Sequence, residues 1–529
     1  MLAARTASFG GSTLSSTLLF SKLSTKSTVI TGSRQFTFAA TGSGIRGLHT
    51  RTLKRSPVSM TDGASRASSP SPLTRLNGIQ RMLSSANSLE GDKHVLTVSN
   101  LTGRSLVLNR PKALNSLTLP MVQAIARHLK EWEDSDLCNL VILRSNSERA
   151  FCAGGDVVQV SQTWKSGAQA QAMKFFQEEY RLNHIIASYS KPIVAMIGGY
   201  TMGGGVGLSV HAPFRVATES SVFAMPETKI GFFPDVGATF FLSRLDGETG
   251  TYLGMTGQQL KGRDLLYAGI ATHYVPSERI PNLEERLWEL GSSDHDVVNA
   301  AIEEFAAQPE ESEALDYSLA TIRSSIDRCF RFKSVESIIE ALRQEEENPE
   351  WAQQTISTLE KMSPSSLKLT LEQLGHGKRL NIQEAFTLEL RLAEKRLASH
   401  DMHEGIDALL VRKTKDPKWN PPTVAEVNMN QLFKEYFETP VAYNPVFKKR
   451  DAKFTEYPHK FGLPTEADVR DLVTGDNPQA GDYVLTREEV INFFEREYIS
   501  KIGTSRKVSW VLDRKTRKKH DNDSLEWVR

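Results

Sequence analysis

The chain is short of cysteine, of net charge and of long apolar runs, and each shortage removes a class of protein. Three cysteines, Cys138, Cys152 and Cys329, stand in 529 residues with no short spacing between any two, which leaves neither a zinc-knuckle pattern nor a disulfide framework. The formal net charge is +1, so no overall field draws the protein to nucleic acid or membrane, and any basic patch must be local. No stretch reaches the roughly 18 consecutive apolar residues of a membrane-spanning helix. Acid is missing altogether from the first sixty-one residues, which carry eight Lys or Arg; the first carboxylate is Asp62. A basic, acid-free leader rich in Ser, Thr, Ala and Gly has the composition of an organelle-targeting presequence, mitochondrial before plastid. Its apolar run Thr17–Phe20 is too short for a secretory core. With the Ser/Pro/Asn-rich residues 65–88 added, residues 1–89 read as a targeting leader and a disordered segment. The whole chain, 39% hydrophobic and 24% charged, has the balance of a soluble globular protein.

From His94 the texture becomes that of a folded domain. Val95–Val98 and Ser105–Leu108 are short apolar runs around the turn signal Asn100–Gly103, which predicts a hairpin. Leu119–Trp132 carries Met121, Val122, Ile125, Leu129 and Trp132 at helical spacing. Leu140–Leu143 and Pro192–Ile197 are continuously apolar and read as buried strands. A helix is expected over 171–189, a small one after Gly203, and strands at Phe214–Ala217 and Val222–Ala224. The rhythm of strand, strand, helix predicts a stack of such units rather than a doubly wound sheet. After about Pro281 strands are expected to disappear, with helices at Leu283–Leu290, Asp296–Ala307, Ser334–Gln344, Trp351–Lys361, Ser366–Leu374 and Ile382–Ser399. Beyond Trp419 the pattern turns irregular, and Lys501–Lys519 is strongly basic around the apolar Val508–Leu512.

Three segments carry chemistry: Phe151-Cys-Ala-Gly-Gly-Asp156, Met202-Gly-Gly-Gly-Val-Gly207 and Pro226-Glu-Thr-Lys-Ile-Gly-Phe-Phe-Pro-Asp-Val-Gly237. The first two are small-residue turns whose backbone can approach a ligand, and the third supplies Glu227 and Asp235. Amides converging on one oxygen with carboxylates beside it are what an enolate or a tetrahedral oxyanion requires. Gly203–Gly205 follow a strand and open a helix, so their amides lack intrahelical partners. They match neither a dinucleotide fingerprint, since the sixth position from Gly203 is Leu208, nor a phosphate loop, since no Gly-Lys-Ser/Thr follows. The flanks of Glu227 and Asp235 are apolar, a setting that raises a carboxyl pKa and suits acid–base or nucleophilic work. Ser209 has no Gly-x-Ser-x-Gly elbow, and Cys152, His184 and His211 read as structural.

Taken together, Asn109-Arg-Pro-Lys-Ala-Leu-Asn115, Phe151–Asp156, Gly203–Gly205 and Pro226-Glu227 resemble the crotonase (enoyl-CoA hydratase/isomerase) superfamily. Thr201–His211, Phe223–Thr228, Phe233–Gly237, Met362–Lys368, Glu389-Leu-Arg-Leu392 and His400–Leu410 resemble its 3-hydroxyisobutyryl-CoA hydrolase branch. The resemblance runs from about His94 to Trp419. It implies an α/β fold, a spiral of repeated strand-strand-helix units with a C-terminal helical region. The core would be 90–280, the helical region 281–425, and an extension with a basic end 426–529. It implies an acyl-CoA substrate whose thioester oxygen is held by the amides of Ala153 and Gly204. The CoA moiety would be lined by Lys112, Ala113, Leu114, Ala153, Gly155 and Asp156, and the substrate touched by Glu179, Gly204, Glu227 and Asp235. Glu227 and Asp235 would be catalytic, Glu227 either attacking the thioester or activating water. The hydratases carry a glutamate where this chain has Gly207, so hydrolysis is the expected reaction. The activity implied is release of 3-hydroxyisobutyrate, or a similar short 3-hydroxy acid, from CoA in valine catabolism in the mitochondrial matrix, with no metal and no separate cofactor. Two alternatives stand beside it: an enoyl-CoA hydratase or isomerase, and a hydrolase-like subunit of the mitochondrial small ribosomal subunit, its basic end against rRNA. A homo-oligomer is compatible with either.

Overall fold

The computed structural model describes residues 90–307, 315–481, 484–499, 501–519 and 523–528; the expected leader lies outside them. All the described residues belong to one compact unit. Strands β1 (Val95–Asn100) and β2 (Gly103–Leu108) form the expected hairpin in the register Val95↔Leu108. Beyond it, β2, β3 (Leu140–Ser145), β5 (Ile193–Met196), β7 (Phe214–Ala217) and β10 (His273–Tyr274) continue one sheet with every neighbour parallel.

Strands β3, β5 and β7 are each followed within a few residues by a short strand that joins a second sheet. These are β4 (Ala150–Cys152), β6 (Tyr200–Met202) and β8 (Val222–Ala224), mutually parallel, with β9 (Leu260–Lys261) antiparallel at the edge. The strand-strand-helix unit thus repeats with its two strands in different sheets, and the expected spiral is what forms.

Side-chain alternation divides the core. Leu140, Ile142, Val194, Met196, Phe214 and Val216 face one way, against Leu283, Leu287, Val298 and Ile302 of the helices Ile280–Glu289 and His295–Glu303. Val141, Leu143, Ile193 and Ala195 face the other way, into the main core. A strand buried on both faces needs apolar residues at every position, which is why Leu140–Leu143 shows no polar alternation.

The C-terminal half departs from expectation in two places. Strands do not disappear: Thr516–Lys518 and Leu525–Trp527 pair antiparallel beside the helices Glu466–Thr474, Arg487–Glu497 and Thr504–Lys515. Val469, Leu472, Val490, Phe494, Val508, Val511 and Leu512 close a small core of their own there. The basic end is also not a free charged face. Lys501 pairs with Glu303 and Lys507 with Asp246, both lysines buried. Arg514 and Lys515 meet Asp327 and Glu466, Arg517 meets Glu526 and Lys518 meets Asp523. Charge that looks unopposed along the sequence is neutralised in space by acids up to 261 residues away. Among the described residues no helix is long and apolar enough to cross a membrane.

Candidate active site

Parallel pairing brings the three chemistry-bearing segments together. Cys152 lies opposite Thr201, Thr201 opposite Phe223, and Met202 opposite Ala224, so β4, β6 and β8 end side by side. The turn after β4 is Ala153–Asp156, the turn after β6 is Gly203–Gly204, and the turn after β8 begins with Pro226 and Glu227. Spacing along the chain of about fifty and then twenty-five residues therefore becomes adjacency at one sheet edge. Glu179 enters from the helix Gln169–Ala187, and Asp235 from the loop before Ala238–Phe241.

The turns are close enough to leave no room for side chains. A Cβ on Gly204 would lie 2.5 Å from Glu179 Oε1 and 3.2 Å from the Gly155 nitrogen, and one on Gly203 2.9 Å from Glu227 Oε1. Gly203 and Gly154 sit at φ +44° and +115°, conformations open to glycine. Gly204 is the first residue of the helix Gly204–Ser209, so its amide has no intrahelical acceptor.

The first turn differs from expectation in one atom. The Ala153 amide donates to Leu114 O at 3.0 Å, which commits it to holding the two turns together. The amide without a partner among the described residues, next to Gly204, is that of Gly155. Ala153 and Leu114 are thus paired with each other, and the two stretches expected to line CoA are one surface. Arg110 bonds Asp156 at 2.9 Å, while Leu117 and Gly155 form a parallel bridge. Lys112 is exposed, and Ala113, Leu114, Gly155 and Asp156 are half-buried. Asn115, fully buried, ties this surface down through Arg110 N, Ser145 Oγ and the carbonyls of Ala150 and Phe151.

Glu179, Glu227 and Asp235 are all buried. Glu179 Oε1 and Glu227 Oε2 have no hydrogen-bond partner among the described residues, an arrangement too costly to keep unless something polar enters the site. Burial holds the Glu179 carboxyl well above its ordinary range, with repulsion from Asp235 and Glu227 adding to it. Glu227 is raised by burial and then by Asp235. Asp235 is raised by burial to about 7, although the Tyr180 hydroxyl, donating to it at 2.7 Å, works the other way. Burial and mutual repulsion therefore both favour the protonated forms of these carboxyls.

Ser209, Cys152 and Gly207 have structural places. Ser209 donates to its own helix at Gly205 O. Cys152 is buried and pushed by that burial up to about 12, which keeps it a thiol. Gly207 is closed: a Cβ there would lie 2.7 Å from Val236 Cβ and 2.8 Å from Asn183 Nδ2. Sequence reasoning did not single out Tyr180, nor Glu389, whose carboxylate accepts from Gly237 N at 2.7 Å and Thr239 N at 2.8 Å. The available signal for Glu389 is its place in Glu389-Leu-Arg-Leu392, one of the segments that carry the resemblance.

Comparison with known proteins agrees with this architecture. Residues 103–437 match the enoyl-CoA hydratase/isomerase family. The small ribosomal subunit protein mS47 of Neurospora crassa is 41% identical over 460 residues, spanning 83% of this chain and 89% of that protein. The mitochondrial 3-hydroxyisobutyryl-CoA hydrolase of Homo sapiens is 43% identical over 367 residues, 68% of this chain and 94% of that one. A carnitinyl-CoA dehydratase from Mycobacterium thermoresistibile, 38% identical, superposes with a TM-score of 0.62 over 68% of this chain and all of its own. The chain belongs to the enoyl-CoA hydratase/isomerase, or crotonase, family.

Proposed function

We propose that this protein is a mitochondrial acyl-CoA thioester hydrolase that cleaves 3-hydroxyisobutyryl-CoA, or a closely similar short 3-hydroxyacyl-CoA, to the free acid and CoA. The observation that carries the reading is the pair of amides, Gly155 and Gly204, with no partner among the described residues, beside the buried Glu227 carboxyl, whose Oε2 also has none among them. In this assignment Gly155 takes the oxyanion role first expected of Ala153. The two amides bind the thioester oxygen as it becomes negative, which is worth about 3–4 kcal/mol for each donor lost in comparable sites. Glu227 supplies the attack, either on the carbonyl carbon to give an anhydride that water then opens, or on a water that it deprotonates. In both routes the C–S bond breaks and CoA leaves as a thiolate, a good leaving group that needs little acid help. Water, a carboxylate and two amides complete the reaction, so it calls for no metal or separate cofactor.

Asp235 and Glu179 recognise the acyl part in this assignment, with Asp235 taking the 3-hydroxyl and sharing in proton transfer. Lys112–Leu114 and Ala153–Asp156 carry CoA. Hydration of an enoyl-CoA is disfavoured by the closed position of Gly207, which has no space for the second carboxylate that water addition uses. Thioesterase assays across short 3-hydroxyacyl-CoAs, with enoyl-CoA hydration run alongside, test the reading. Turnover of the enoyl substrates without thiol release would overturn it. Incorporation of labelled oxygen from water into Glu227 in a single turnover would establish the anhydride route, with water opening the anhydride at the Glu227 carboxyl carbon.

A second role is supported by one observation: the fungal ribosomal protein aligns with 83% of this chain, against 68% for the human hydrolase. Association with the mitochondrial small ribosomal subunit could coexist with hydrolysis, because the site residues are all present. The basic end contributes little to it, since most of its charges are paired within the fold. Co-sedimentation with small subunits tests this role, and absence from the subunit peak in native extracts would exclude it.

A further inference from the structure

The loop that presents Asp235 is clamped at four points. Gln373 Nε2 donates to Pro234 O at 2.6 Å, the Glu389 carboxylate accepts from the Gly237 and Thr239 amides, and His211 Nε2 lies 2.7 Å from Val236 O. The fourth clamp acts on the residue under most strain: Val236 is β-branched and sits at φ +54°, a conformation that costs about 1–3 kcal/mol and persists only when its surroundings impose it. A carbonyl can only accept, so Nε2 of His211 carries the proton; on a neutral ring Nδ1 is then an acceptor. The group facing Nδ1, at 2.7 Å, is the hydroxyl of Tyr457. The chain of bonds therefore has one direction: Tyr457 O–H to Nδ1, and Nε2–H to Val236 O. His211 is buried between Phe386 and Phe241, and that burial lowers its pKa to about 4, which keeps the ring neutral across the working range.

Tyr457 comes from outside the family domain, whose match ends at residue 437. The segment that carries it is fastened to the core. Lys449 Nζ reaches Glu133 and Ser188 O, Ile382 N donates to Phe454 O at 3.1 Å, and Arg244 Nε donates to Thr455 O at 2.9 Å. The Tyr457 ring meets Phe240 edge-on at 5.1 Å. We propose that Tyr457 is a positioning residue for the reaction: through His211 it holds Val236 in its left-handed conformation and so aims Asp235, which makes the C-terminal extension part of the active site. The proposal rests on the hydrolase reading for its kinetic consequence.

Tyr457→Phe removes only the hydroxyl. It leaves Nδ1 without a donor and frees the ring to take the other tautomer, which would turn a lone pair toward Val236 O. The expected result is a kcat for thioester hydrolysis about tenfold lower, with KM within about twofold. Faster amide hydrogen exchange is expected over residues 233–239 and not across the chain. Because Tyr457 acts through His211, the double variant Tyr457→Phe/His211→Gln should lose no more kcat than His211→Gln alone. Unchanged kcat, a rise in KM alone, additive losses, or exchange that quickens evenly throughout the molecule would each overturn the proposal. The exchange measurement needs no turnover. If the wild-type protein hydrolyses no thioester, the functional reading falls, while exchange confined to 233–239 still decides whether Tyr457 holds the loop.

Discussion

Replacing Gly204 by Ala tests the oxyanion site with the smallest available perturbation. The added methyl would stand 2.5 Å from Glu179 Oε1, 3.1 Å from Leu117 Cδ1 and 3.2 Å from the Gly155 nitrogen. An oxygen accepting from both amides needs about 2.9 Å from each nitrogen, so the methyl takes up room the thioester oxygen must use. Loss of effective bonding to one donor lowers kcat by about 10²–10³-fold. Stability should respond far less. The two crowded side-chain atoms are ends of flexible chains that can swing aside, and losing a glycine stabilises by about 0.4–1 kcal/mol through the unfolded state wherever the backbone permits alanine. Gly205→Ala is the counterpart: its methyl would be driven onto the Cys152 carbonyl, backbone that cannot swing away. Thiol release on 3-hydroxyisobutyryl-CoA and thermal melting, measured on the same preparations, should therefore separate the two. Gly204→Ala loses turnover with a melting temperature near that of the wild type, and Gly205→Ala melts clearly earlier. Wild-type activity per folded molecule in Gly204→Ala would remove Gly204 from the oxyanion site. An equal fall in melting temperature for both variants would refute the packing argument.

Glu227→Gln is nearly isosteric and should keep the fold and CoA-ester binding while kcat falls by about 10³-fold or more, since nucleophile and base disappear together; near-normal turnover would contradict the role assigned to Glu227. The buried carboxyls also set a pH dependence of stability in the ligand-free protein. Asp235 is raised to about 7 and Glu389 to about 8, burial being the chief cause in both, against about 4 in an unfolded chain. The folded state then holds more protons on these two groups than the unfolded one across that interval, so they make stability fall as pH rises from about 4 to about 7 or 8. Asp235→Asn removes one contributor and should flatten the fall in melting temperature below pH 7; parallel profiles for variant and wild type would show that Asp235 titrates normally.

Much of this protein is legible in its residues because the deciding physics is local. Continuous apolarity at Leu140–Leu143 and Pro192–Ile197 announces strands buried on both faces, and helical spacing at Leu119–Trp132 announces the helix that crosses between β2 and β3. The glycine turns and the apolar flanks of Glu227 and Asp235 mark where backbone amides and buried carboxyls come together. Tertiary structure decided what depends on partners distant in the chain. Ala153 and Gly155 look alike as turn residues, and only pairing with Leu114 commits the amide of the first and leaves that of the second. Lys501, Lys507, Arg514 and Lys515 read as a basic patch until Glu303, Asp246, Asp327 and Glu466 fold against them. Tyr180, Glu389, His211 and Tyr457 have no spacing that signals a common purpose. They meet around Asp235 because parallel strands stack their ends at one edge and the chain then returns across it, a convergence set by long-range packing and not by local propensity.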